Sequence, residues 1–188
     1  MKTISIETDR LQLRPCTEDD IPDLHKLWTH PNVRGFIWDD IVITEEKARE
    51  VVARSIKNYT EHGAGVWVAY AKSKDRLVGF CGLGHYGKQP EKEILYGIDP
   101  QLWGNGYATE VSLAMLRYAF DELGCQLVLA GADPLHEASF RVIDKLGMLF
   151  VRRVQADGAD GAKLDLIYYG IKKEQFDAGD AFYKLNKD

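Results

Sequence analysis

Cysteine is scarce. The three in 188 residues, Cys16, Cys81 and Cys125, are far apart and form no C-x-x-C pair. An odd, dispersed set argues against a disulfide framework and against a zinc knuckle. Each lies among apolar neighbours, as in Phe80-Cys81-Gly82, the usual setting of an inert thiol. Long hydrophobic runs are missing too: nothing approaches the ~20 apolar residues of a membrane span. Residues Met1 to Glu7 carry neither the apolar core nor the cleavage site of a secretory signal. Proline, at six residues, never joins Gly and Ser into a linker, and no repeat or low-complexity tract marks a boundary. Basic residues are outnumbered 24 to 29, giving a net charge of −5. That balance argues against broad nucleic-acid binding, which needs concentrated Lys and Arg, but leaves room for a local pocket for a phosphorylated ligand.

What is present is ordinary for a globular chain: 45% hydrophobic and 28% charged residues. A chain of this length buries about 70% of its unfolded surface, so one domain over residues 1–188 in a reducing cytoplasm is the expectation.

Leu11–Arg14 alternates as a strand. Thr17-Glu18-Asp19-Asp20 reads as a helix start running to about Trp28, and Thr44-Glu45-Glu46-Lys47 opens a second helix that Gly63 stops. Strand periodicity follows at Val66–Ala71, Leu77–Leu83 and Ile94–Ile98. A long helix is expected over Gly104–Leu123, a strand at Leu127–Ala130 and a helix over His136–Leu146. Strands at Leu149–Val154 and Leu164–Ile171 flank a hairpin region at Asp157–Gly161. The order β α α β β β α β α β β predicts a mixed α/β (α+β) fold, a central mixed sheet flanked by helices.

Two glycine motifs stand out. Gly82-Leu83-Gly84-His85-Tyr86-Gly87 spells G-x-G-x-x-G after a strand, yet Lys88–Glu93 and another strand follow where a dinucleotide site needs a helix. Gln101-Leu102-Trp103-Gly104-Asn105-Gly106-Tyr107-Ala108-Thr109-Glu110 instead lies between a strand and the longest helix. Its glycines let a ligand approach the backbone, and the amides of a helix start bind phosphate. No Gly-Lys-Ser/Thr follows, so it is not a P-loop. Taken alone, a simple helix-starting turn remains the alternative.

Gln101-x-x-Gly104-x-Gly106 resembles the Q/R-x-x-G-x-G/A coenzyme A loop of the GNAT acetyltransferase superfamily. The chain is similar to its RimJ/RimL branch, which includes ribosomal-protein N-terminal acetyltransferases. The similarity runs, in order, through Glu7-Thr8-Asp9-Arg10-Leu11-Gln12-Leu13-Arg14-Pro15, Leu77–Leu83, Glu93-Ile94-Leu95-Tyr96-Gly97-Ile98, the loop and Ser139–Met148. The resemblance implies a sheet splayed between Glu93–Asp99 and Leu127–Ala130, with pantetheine of acetyl-CoA held in the V. It implies cofactor contacts from Ile98, Trp103, Gly104, Asn105, Gly106, Tyr107, Ala108 and Thr109. A bulge in Ile94–Asp99, compatible with Gly97, would polarise the acetyl carbonyl.

The implied chemistry is direct acetyl transfer to a primary amine, with no metal. An alkyl ammonium has a pKa near ~8–10, so a base must take its proton. Glu93, where relatives often carry glutamate, is the candidate, with His85, Asp133 and solvent as alternatives and a solvent-facing charge as the bland reading. Ser139 falls on the serine of the family's N-x-x-S and would assist the leaving thiol. The asparagine of that motif is His136 here, a departure that puts its pantetheine contact in question. Tyr168 or Tyr169 could line the acceptor site, although core packing suits either. Trp38 and Asp39, in the segment His30–Asp40, are the substrate-binding candidates. The acceptor is a protein N-terminal α-amino group or a small molecule such as a polyamine, aminoglycoside or amino acid. A non-catalytic acyl-CoA-binding module is the rival from another class. Monomer and homodimer both stay open, with no direct nucleic-acid or membrane partner expected.

Overall fold

A computed structural model describes residues 4–73, 76–85, 91–157 and 163–187. Strands β1 (Ile4–Glu7) and β2 (Leu11–Pro15) precede three helices: α1 (Ile21–Trp28), α2 (Pro31–Ile37) and α3 (Glu45–His62). A meander of β3 (Val66–Ala71), β4 (Arg76–Gly84) and β5 (Lys92–Ile98) leads to α4 (Tyr107–Asp121). Then come β6 (Leu127–Ala132), α5 (Glu137–Lys145), β7 (Leu149–Asp157), β8 (Lys163–Lys172) and β9 (Lys184–Lys187). The strands form one sheet in the order β7-β8-β6-β5-β4-β3-β2-β1-β9. Among its pairings only β5 with β6 is parallel.

Strand alternation distributes the apolar side chains to both faces. Along β3, Val66 and Val68 enter a cluster with Leu24, Trp28, Val33 and Val52 from α1–α3. Their neighbours Trp67 and Ala69 enter the opposite cluster with Val111, Met115 and Ile143 from α4 and α5. Helix α3 begins where Thr44 Oγ1 accepts from the Lys47 amide at 3.2 Å and ends at Gly63, whose φ is 68°, as its sequence signals predicted.

Three elements are additional to the sequence expectation: β1, β9 and α2. The two four-residue strands hold each other at the sheet edge, Ile6 opposite Leu185, a non-local pairing that neither short segment announces. Helix α2 falls in the segment His30–Asp40, where no helix was expected. Pro31 at its first turn and the His30 ring, which accepts from the Asn32 amide at 3.2 Å, start it. The long helix begins at Tyr107, not Gly104, because Gly104 and Gly106 are left-handed, with φ of 79° and 80°. Gly82 and Gly84 lie inside β4, paired to Leu95 and Glu93, so this part of the G-x-G-x-x-G sequence is strand. Tyr86 and Gly87 lie outside the described residues, as does the tip of the β7–β8 hairpin.

Candidate active site

β5 and β6 pair only at Lys92–Val128 and Glu93–Leu129. Beyond Glu93 they part, and the edge of β5 from Ile94 to Ile98 faces an opening. The expected bulge is not there: β5 keeps unbroken register with β4 from Glu93 to Ile98. Gly97 has a different purpose, since a Cβ on it would stand 2.5 Å from the Phe80 ring. The open β6-side edge leaves β5 donors available without a bulge.

A cavity of about 290 Å³ continues from this opening, bounded by α2, β5, the start of α4, and α5. Ile98, Trp103, Gly104, Gly106, Tyr107, Ala108, Thr109 and His136 all line it. The backbone amides of Gly104 through Thr109 donate to no other described residue, while Glu110 N–H bonds Gly106 O. A Cβ at Gly104 would meet nothing within 4 Å, so the loop presents bare backbone to the cavity. Arg141 and Lys145, unanticipated from sequence, line the same space from α5. Donor amides at a helix start beside two cations suit a polyphosphate ligand. Asn105 does not line the cavity. Its side chain turns back to Leu102 O and Trp103 O, at 3.0 and 3.1 Å.

The loop is fastened from the far end of the chain. Glu110 takes Thr8 Oγ1–H at 2.5 Å, the Arg10 amide at 3.0 Å and Arg10 Nε at 2.7 Å. Arg10 Nη1 also donates to Asn105 O at 2.8 Å, and its guanidinium covers the Tyr107 ring. Trp103 Nε1–H donates to Ile98 O at 2.8 Å, tying the loop to β5.

A second cavity, of about 350 Å³, is lined by Asp39, Asp40, Asp133, Gly131, Leu166 and β5 residues. Phe36, Ile37, Tyr96, His136 and Ser139 line both cavities. Phe36 of α2 stacks on His136 at the start of α5, ring centroids 3.7 Å apart and planes within 4°. Burial lowers the His136 pKa, against the opposing pull of Asp133. Ser139 is buried, and its Oγ lies 2.9 Å from Tyr96 Oη. Burial chiefly pushes the Tyr96 phenol up to about 12, so it stays protonated through the physiological range.

Glu93 is not a solvent-facing charge: it is 6% exposed. Gly131, a wall of the second cavity, stands over it, because a Cβ there would be 3.7 Å from Glu93 Oε2 and 3.2 Å from the Tyr168 ring. Tyr168 is buried at this spot, while Tyr169 packs against Phe140 and Phe150. Asp39 reaches the second cavity; Trp38 does not, packing edge-on to Trp28 in the α1–α3 cluster. His85 is exposed and lines neither cavity. Asp133 lines the second but accepts from the Leu135 amide at 2.7 Å. Among the described residues no group of three or more His, Cys, Asp or Glu could hold a metal ion, and no helix is long and apolar enough to cross a membrane. Beyond its place in the stretch Glu93–Ile98, Tyr96 carried no sequence signal for these contacts, and Phe36 was an aromatic in the segment His30–Asp40 with nothing to single it out.

Residues 10–149 match the family of the Acetyltransferase (GNAT) domain. Among curated proteins, YkkB of Bacillus subtilis (strain 168) is 33% identical over 152 residues, covering 79% of this chain and 87% of the relative. The N-acetyltransferase YnaD of the same organism is 27% identical over 91% of this chain and 98% of its own. A GNAT-family acetyltransferase from Bacillus anthracis superposes with a TM-score of 0.77 at 26% identity, over 90% of this chain and 99% of that one. RimL, a ribosomal L7/L12 α-N-protein acetyltransferase in complex with coenzyme A, shares the fold: TM-score 0.75 at 18% identity, over 92% and 100%. This chain belongs to the GNAT acetyltransferase family and is an N-acetyltransferase.

Proposed function

We propose that this chain acts as one RimJ/RimL-like domain in the cytoplasm, moving the acetyl group of acetyl-CoA onto a primary amine, with a protein N-terminal α-amino group as the acceptor. The observation that carries this reading is the meeting of two cavities at one place. The phosphate-suited cavity and the carboxylate-lined one share Phe36, Ile37, Tyr96, His136 and Ser139. A thioester threaded along β5 from the first side thus meets an amine arriving from the second. The RimL likeness in fold supports a protein N-terminus; a polyamine, aminoglycoside or amino acid is the competing acceptor.

In this reading the diphosphate lies on the amides of Gly104–Thr109, with Arg141 and Lys145 beside it. Pantetheine runs along the open edge of β5, whose amides polarise the acetyl carbonyl. Asp39, with Asp40 and Asp133, draws the cationic amine into its cavity. Glu93 takes the ammonium proton directly or through water, the neutral nitrogen attacks, and Ser139 donates a hydrogen bond to the departing sulfur.

The test is mass spectrometry of products from acetyl-CoA and a mixed library of small amines and peptides with free N-termini. Acetylated peptide α-amines are expected. Products confined to small amines overturn the acceptor, and coenzyme A binding without turnover on any amine overturns catalysis.

A further inference from the structure

We propose that Tyr96 is a positioning residue for thiol departure: its phenol holds the Ser139 hydroxyl so that the serine proton points at the sulfur. The proposal rests on the role given to Ser139 above. Its basis is the 2.9 Å contact between Tyr96 Oη and Ser139 Oγ at the junction of the two cavities, which both residues line.

A serine carries one proton and two lone pairs, and on a helix its hydroxyl readily turns to a backbone carbonyl of the preceding turn. A hydroxyl so engaged has nothing to offer a ligand. A phenol is a better donor and a poorer acceptor than an aliphatic alcohol, so Tyr96 donates and Ser139 accepts. Tyr96 Oη lies farther, 3.4 Å, from the Ser139 carbonyl. With one serine lone pair occupied by the phenol, the serine proton is aimed away from Tyr96 into the shared cavity. Tyr96 is itself fixed: its strand pairs with β4, Tyr96 opposite Cys81, and its ring packs against the core of the α4–α5 face.

The step balances without the hydroxyls losing protons. The amine lone pair forms the C–N bond, and the C–S electron pair leaves on sulfur. The nitrogen proton passes to Glu93 and on to solvent, and the thiolate is protonated after release. Ser139 and Tyr96 contribute two hydrogen bonds in series, which strengthen as charge develops on sulfur. A thiolate is much less basic than an alkoxide or a phenolate buried here, so full proton transfer along the chain is uphill.

The experiment is steady-state kinetics on the whole chain with acetyl-CoA and an accepted amine. Tyr96→Phe is expected to lower kcat about tenfold, the size of one hydrogen bond to a charged group, with KM for acetyl-CoA changed less than about twofold. Ser139→Ala is expected to cost at least as much, and the double variant no more than Ser139→Ala alone. An unchanged kcat in Ser139→Ala defeats the serine role and Tyr96 with it. A loss in Ser139→Ala without one in Tyr96→Phe, or two losses that multiply, leaves the serine role standing and overturns the Tyr96 proposal. Replacing Tyr96 by 3,5-difluorotyrosine keeps the ring and hydroxyl but makes the phenol more acidic. It should give kcat a new alkaline decline, absent when Ser139 is alanine; a profile with no new decline overturns the proposal even if Tyr96→Phe folds poorly.

Discussion

A carboxylate is costly to take out of water unless it is hydrogen-bonded or paired, and Glu93 is 6% exposed at the point where β5 and β6 separate. Glu93 lines neither cavity, but its Oε2 lies 3.7 Å from where a Cβ on Gly131, a residue of the second cavity's wall, would stand. In the role of base proposed for it, Glu93 matters most where the acceptor is protonated. Glu93→Gln should lower kcat/KM by about 10²-fold or more near pH 7, within the range of general-base catalysis. The loss should shrink as pH rises through the ammonium pKa, because the amine then arrives neutral. A pH–rate profile lowered by the same factor at every pH removes Glu93 from that role. Glu93 stood out in the sequence through its place in a family motif, since the run Glu91-Lys92-Glu93 by itself reads as exposed charge. Tyr96 stands in the same stretch, but its contact with Ser139 could not be found that way, and Phe36 lies outside the quoted motifs. Alternation places Tyr96 on the same face as Ile94 and Ile98, but contact with Ser139 spans 43 positions, and local pattern carries no such information.

The turn that leads into α4 borrows its stiffness from elsewhere in the chain. Glycines at 104 and 106 permit the left-handed turns, yet the turn is fixed by Thr8, Arg10 and Glu110, joined across a separation of about a hundred positions. Glu110 also sits in the first turn, where a carboxylate favours the helix dipole. Glu110→Ala should loosen the loop without touching the reacting atoms. KM for acetyl-CoA should rise severalfold, by roughly 1 kcal/mol of lost positioning, with kcat within about twofold. A fall in kcat at constant KM places Glu110 in the chemistry instead. The elements that were legible share one property, a local signal at both ends: Thr44 and Gly63 bracket α3, and Gly147 (φ 70°) follows the end of α5. Those that were not, β1, β9 and α2, depend on partners. Leu185 gives β9 a single apolar residue, and pairing along Ile4–Glu7 of β1 makes it a strand. Helix α2 has Gly35 in its middle and gains its apolar contact through Val33 in the α1–α3 cluster.

At the scale of the whole molecule, one sheet carries two cores, and the site opens between its strands. Phe80 connects these parts. It belongs to the α1–α3 core and meets Trp28 edge-on at 5.9 Å, and its ring lies over Gly97 of β5. Position 97 is therefore glycine because the ring of Phe80, its register partner on β4, lies over it and leaves no room for a side chain. The neighbour at 97 would be a buried aromatic ring with no empty space to enter, and cores as dense as crystals pass such displacement on instead of absorbing it. Gly97→Ala should destabilise the fold by about 2 kcal/mol, the middle of the range for overpacking. For a chain of this length that lowers Tm by roughly 4–8 °C. Activity should fall more than stability explains, since β5, whose open edge carries the acetyl group in the proposed reading, shifts relative to α4. Phe80→Leu, itself a cavity-forming change, should recover part of both losses when combined with Gly97→Ala. Thermal melts and kcat/KM on the four proteins of that cycle measure the coupling. Additive losses would mean that Phe80 and Gly97 act independently, and that the α1–α3 core is coupled to the site by another route.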